Sequence, residues 1–90
     1  MVKMITVSRL VAYFTDEYHK RAGIAHLPIP RNQIVRFANL ISAFSVEERD
    51  VMAMIDAYFD TDFSTPTDYR FGHFATDGVF QNLYCKHFYK

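Results

Sequence analysis

The side chains with chemistry to offer are four histidines (His19, His26, His73 and His87), one cysteine (Cys85) and a run of acids between Glu47 and Asp68. A structural zinc site needs Cys or His ligands at set spacings, and the only close pairing is Cys85-Lys86-His87. Helical residues two apart point in different directions, and the chain has neither a Cys-x-x-Cys nor two histidines four apart. No metal centre is expected. His87 is read as a partly buried core histidine and Cys85 as a small apolar group. The acidic run invites a calcium reading, because Asp60, Asp62, Ser64 and Asp68 fall at positions 1, 3, 5 and 9 of a helix–loop–helix site. Position 6, however, is Thr65 rather than Gly, and position 12 is Phe71 rather than a bidentate Glu. These residues are read instead as caps and turn formers.

Cys85 beside His73 or His87 would supply a nucleophile and a base. Nothing in the chain resembles a nucleophile elbow, a phosphate loop or a paired-carboxylate motif, and three glycines are too few for a glycine-rich cradle. The expectation is therefore a protein without catalytic residues or a cofactor, one that acts by binding.

Binding to nucleic acid draws on cations interleaved with aromatic rings. Arg31 and Arg36 lie near the start of a helix. Arg70 sits within Tyr69-Arg70-Phe71-Gly72-His73-Phe74, and Lys86, His87, Tyr89 and Lys90 close the chain. Phosphates on the charges and bases on the rings would suit a single strand. The competing reading makes Tyr69, Phe71 and Phe74 part of an aromatic core, which their helical spacing favours. A duplex-reading helix–turn–helix fits less well, because the second helix of the pair opens on Glu47, Glu48 and Asp50. Binding to protein is the third reading, with the tail Phe88-Tyr89 and the connector from Ile24 to Ile29 as contact points. Arg31, Arg36, Tyr69, Arg70, His73 and Lys86 are the residues expected at the contact surface.

The elements that must position these groups follow from apolar spacing. Val7, Leu10, Val11, Phe14 and Tyr18 form a helical stripe over 6–22, with Thr6 as cap and Gly23 as stop. Pro28 and Pro30 forbid a helix through the connector, whose Ile24, Leu27 and Ile29 suggest packing against the body. A second helix is expected over 31–43 on Ile34, Phe37, Ala38 and Ile41. The sequence Ser45-Val46-Glu47-Glu48 reads as a capping box for a third over 46–59, burying Val51, Met52, Ile55 and Phe59. Thr65-Pro66-Thr67-Asp68 reads as the start of a short fourth helix to about Ala75, anchored by Tyr69 and Phe74. Thr76 or Asp77 caps a fifth, in which Phe80, Leu83, Tyr84, His87 and Phe88 share a face. No segment alternates with the period of a strand. The expected fold class is all-α, a compact bundle of about five short helices in a single domain spanning 1–90.

With 90 residues, 50% of them apolar and 22% charged, the composition is that of a folded domain, neither disordered nor fibrous. Ten basic and ten acidic side chains cancel, which argues against bulk-charge coating of duplex DNA or anionic membrane. The charge is nonetheless segregated: +4 over 1–44, −6 over 45–68 and +2 over 69–90. One cysteine forms no internal disulfide, no signal peptide or membrane span is evident, and a reducing cytoplasm is the expected location.

A wider pattern runs through the chain: Leu10, Tyr13-Phe14, Tyr18 and Arg21-Ala22-Gly23, then a proline-containing connector and a basic helix start. After it come Leu40-Ile41, Phe44-Ser45-Val46-Glu47-Glu48, Ile55-Asp56-Ala57-Tyr58-Phe59, and Tyr69, His73-Phe74, Val79 and Leu83. Over residues 5–88 this resembles a helical region of replication-associated proteins of bacteriophages and plasmids, often found beside a DNA-binding domain. The resemblance implies a non-enzymatic accessory or adaptor role in phage-type DNA replication. Its partner would be an initiator, a helicase or a helicase loader, with single-stranded DNA as a further ligand. The alternatives are a small phage-encoded inhibitor of a host enzyme, using the acidic surface from Glu47 to Asp68, and a structural or assembly subunit. With 15 aromatic residues, a homodimer that buries surplus apolar surface is also conceivable.

Overall fold

The computed structural model describes residues 4–60 and 70–89, and these form five helices: α1 (Met4–Ala22), α2 (Arg31–Phe44), α3 (Glu48–Asp60), α4 (Phe71–Phe74) and α5 (Asp77–Phe88). The fold is all-α, and the described residues contain no strand. Val7, Leu10 and Phe14 form the buried stripe of α1, and His19, Lys20 and Arg21 occupy its last turn, where cations suit the helix dipole. Gly23 ends the helix at φ 77°, a left-handed backbone that glycine adopts without a Cβ penalty. Thr6 lies inside α1 and is not its cap, because the helix begins two residues earlier.

Three polar contacts fix how α1 meets α3. Arg9 forks onto both carboxylate oxygens of Glu48 at 2.6 and 3.1 Å. The Tyr13 hydroxyl donates to Asp56 Oδ1 at 2.7 Å, and Arg21 Nη1 donates to Asp60 Oδ1 at 2.7 Å. Residue numbers rise together on both helices, so α1 and α3 run parallel. The steps from Arg9 to Arg21 and from Glu48 to Asp60 match in length, about 18 Å of helix each, so the two outer contacts share one register, while Tyr13 reaches a turn further along α3 to Asp56. Surface ion pairs of this kind stabilise little, and their value here is orientation.

Helix α3 also packs on α5, and α2 covers α1. His87 Nε2 near the end of α5 meets Asp50 Oδ1 near the start of α3 at 3.0 Å, while Tyr58 at the other end of α3 meets Phe74, so α3 and α5 are antiparallel. Between these layers lies a core of rings. Phe14 touches Tyr58, Phe59, Phe71 and Phe74, with centroids 4.9–5.8 Å apart. Phe37 and Phe80 extend the cluster through Phe74. Edge-on and tilted pairs of this type add to the stabilisation that burial provides.

Four further local expectations are corrected. Ser45 does not cap α3: it terminates α2 in the left-handed region at φ 53°, and the Ser45 and Val46 amides donate back to Ser42 and Ile41. That is a helix C-terminal motif usually built on glycine. Arg70, inside the fourth helix expected to run to about Ala75, is extended at φ −89° and ψ 152°, so the helix holding Phe71 starts after it. Thr76 stands at the cap position of α5, yet its hydroxyl donates backwards to the His73 carbonyl at 2.8 Å. Cys85 is exposed rather than packed as an apolar group. The turn proposed at 60–64 and the helix start at 65–68 fall, after Asp60, outside the described residues.

Candidate binding surface

The connector between α1 and α2 is held from beneath. Ile29 is half-buried against the core, and the Pro30 carbonyl accepts the Gln33 and Ile34 amides as α2 begins. Between them His26 makes the central attachment. Its Nε2 lies 3.1 Å from the backbone nitrogen of Phe71, and its Nδ1 lies 2.6 Å from the Leu27 carbonyl. A backbone amide only donates, so Nε2 is the acceptor and Nδ1 carries the proton that Leu27 receives. The ring also stands edge-on to Tyr18 and Phe14, at 4.7 and 5.9 Å. One imidazole thus ties the connector to α4 and to α1.

Held in this way, the connector turns two large aliphatic side chains outward: Ile24 is 62% exposed and Leu27 is 68% exposed. Clefts open on both sides of them. One of about 450 Å³ is lined by Tyr18, Ala22, Ile24, Leu27 and Arg70. Another of about 260 Å³ is lined by Pro30, Gln33, Arg70, Gly72 and His73. Arg70 and Leu27 belong to both walls. A third, shallow cleft of about 770 Å³ lies between the connector and the Val11, Thr15 and His19 side of α1. Gly72 allows the close approach of α4 to α2, since a Cβ there would meet Gln33 Nε2 at 2.8 Å.

His73 is positioned by a buried partner. The Tyr58 hydroxyl lies 2.9 Å from His73 Nδ1 and 3.2 Å from the Arg70 carbonyl. A hydroxyl has one proton, and all three groups are satisfied when Nδ1–H donates to the hydroxyl and the hydroxyl donates to the carbonyl. Arg70 and His73 are thereby presented on the same wall.

Charge separates the described cations into two sets. Arg9, Lys20, Arg21 and Arg49 are each engaged by carboxylates. Arg31, Arg36, Arg70 and Lys86 are exposed and have no carboxylate partner among the described residues. These four are the cations the sequence pointed to. The fold does not gather them into one stripe. Arg70 and His73 meet at the connector, and Arg31 follows Pro30 at its end. Arg36 lies about 140° around α2 from Arg31, and Lys86 is on α5. Tyr69 falls outside the described residues. Phe71 and Phe74 are fully buried, so their rings offer nothing for a base to stack on. The exposed aromatics among the described residues are Phe88 and Tyr89, packed on Tyr84 at 4.7 and 6.2 Å.

The sequence singled out the connector but not Tyr18, His26, Gln33 or Gly72. A glycine between Phe71 and His73 was the one available signal, since such a position often marks close backbone approach. Among the described residues no group of three His, Cys, Asp or Glu is placed to hold a metal, and no helix is long and apolar enough to cross a membrane. In comparisons with protein-family models, curated proteins and solved structures, nothing matches this chain.

Proposed function

We propose that this chain is a non-enzymatic adaptor that binds another protein through the connector and the clefts beside it. One observation carries the reading: Ile24 and Leu27 are held out to solvent by a segment pinned at His26 and Ile29. Burying them in a partner contributes about 25 cal/mol for each Å² of apolar surface removed from water, and a pinned segment loses little further freedom on binding. The resemblance to helical regions of phage and plasmid replication-associated proteins supports a partner among initiators, helicases and helicase loaders. Single-stranded DNA is then an auxiliary ligand, engaged through Arg31, Arg36, Lys86 and the exposed Phe88-Tyr89 pair.

The inhibitor reading, in which acids imitate phosphates, has less support. Glu47, Glu48, Asp50, Asp56 and Asp60 are each bonded internally, to Arg49, Arg9, His87, Tyr13 and Arg21. Carboxylates already engaged this way form a poor copy of a phosphate row.

The test is affinity capture by tagged protein from lysate of phage- or plasmid-bearing bacteria, with and without nuclease, alongside an Ile24→Asp/Leu27→Asp variant. A replication protein is expected in the nuclease-treated capture and is expected to be lost with the variant. Capture that vanishes with nuclease, or that ignores both substitutions, overturns the adaptor reading. Recovery of a second copy of the chain alone moves the function to self-assembly.

A further inference from the structure

We infer that the connector clefts take an acidic, apolar segment of a partner protein, one in which a large aliphatic or aromatic side chain stands close to an Asp or Glu. This rests on the adaptor reading and names the chemistry of the partner. The cleft of Tyr18, Ala22, Ile24 and Leu27 is mostly apolar, with His26 and Arg70 completing its wall, and accepts the apolar side chain. Across Leu27, the second cleft presents the Arg70 guanidinium, the Gln33 amide and the His73 ring.

Charge complementarity selects the sign of the occupant. Among the described residues no carboxylate lines either cleft, and Arg70 is the one Lys or Arg on their walls. Arg70 has no internal carboxylate partner among the described residues, so its guanidinium offers both edges of its fork to an incoming acid. The contrast lies elsewhere on α1, where the surface hollow beside Arg9 and Tyr13 contains Glu48 and Asp16, and its cation is already forked onto Glu48. Asp16, on the third cleft beside the connector, is paired with Lys20, so a basic segment would find no unpaired carboxylate among the described residues lining these clefts. A nucleic-acid strand would find Arg70 as the one Lys or Arg among the described residues lining the two clefts, where it requires several cations. The occupant is therefore peptide, and its carboxylate decides the orientation in which it lies.

The experiment is selection of a displayed library of random short peptides on the immobilised full chain. It is followed by fluorescence anisotropy of an enriched peptide against wild type, Arg70→Glu and Leu27→Ser. Both residues are exposed, and an unchanged far-UV spectrum and Tm will show that each variant folds. Enriched sequences are expected to pair Leu, Ile, Phe or Met with Asp or Glu, and each substitution is expected to weaken binding at least about tenfold. Lys in place of the peptide's acid is expected to abolish binding to wild type and to restore part of it with Arg70→Glu. Enrichment of basic or uncharged peptides, equal binding to Arg70→Glu, or displacement of the enriched peptide by an oligo(dT) probe overturns the inference. Should that occur while Ile24→Asp/Leu27→Asp still eliminates nuclease-resistant capture, only the acidic chemistry falls. Should capture also be indifferent to that variant, the adaptor reading falls with it.

Discussion

Tyr13 is the residue whose titration the fold alters most clearly. Its hydroxyl donates to Asp56, and this bond, with burial and the negative charge of Asp56 behind it, pushes the phenol from 10.0 up to about 12. A pKa raised by folding marks stability that is complete below pH 10 and lost as pH rises through about 12. Tyr13→Phe is expected to cost about 1–2 kcal/mol at neutral pH and to flatten the alkaline loss, as read by urea unfolding at stepped pH. An equally steep alkaline loss in the variant would show that the bond is not made in solution. At this scale the sequence was legible in residue type and illegible in partnership. Arg31, Arg36, Arg70 and Lys86 were recognisable as cations, whereas their lack of carboxylates depends on which helices face one another. Tyr58 and Met54 are fully buried, yet the apolar stripe of α3 was assigned to Val51, Met52, Ile55 and Phe59. A tyrosine is buried this deeply only where its hydroxyl finds partners, and that of Tyr58 donates to the Arg70 carbonyl and accepts from His73, 12 and 15 residues along the chain.

At the scale of elements, apolar periodicity identified α1, α2, α3 and α5, and Pro30 located the start of α2. Boundaries depended on residues with two possible uses. Ser45 suits a helix start by its hydroxyl, but the chain uses it to end α2 with a left-handed backbone, and α3 begins at Glu48 without it. The left-handed region costs an L-residue roughly 1–2 kcal/mol, and glycine gives back part of that gain through its freedom when unfolded. Ser45→Gly is therefore expected to stabilise the protein by about 0.5–1 kcal/mol, measured by chemical denaturation. Destabilisation instead would mean that the Ser45 hydroxyl is used at the junction. The connector was half legible: its prolines excluded helix and Ile29 packs inward as expected. The outward turn of Ile24 and Leu27 follows from His26, whose bond to Phe71 spans 45 residues and leaves no local pattern.

Across the whole molecule, stability converges on one ring. Phe14 is fully buried among aromatic side chains from α3 and α4 and the histidine of the connector. Phe14→Ala is expected to cost about 3–5 kcal/mol and to lower Tm by at least about 12 °C, read by scanning calorimetry. A fall of only a few degrees would place the centre of the core elsewhere. The charge segregation in the sequence is also resolved at this scale. Described acids of α3 are drawn into bonds with α1 and α5, so much of the formal excess over 45–68 is spent holding helices in register.

The parallel seating of α1 on α3 bears on time as well as on form. Two helices that run the same way are not joined by a tight turn, and Arg9 reaches Glu48 only across 39 residues that include the whole of α2. An up-and-down bundle zips neighbour onto neighbour, whereas this chain must close a long loop before its two best-matched helices meet. Local contacts speed folding and distant ones slow it. Of two helical chains equal in length and stability, this one is expected to refold more slowly.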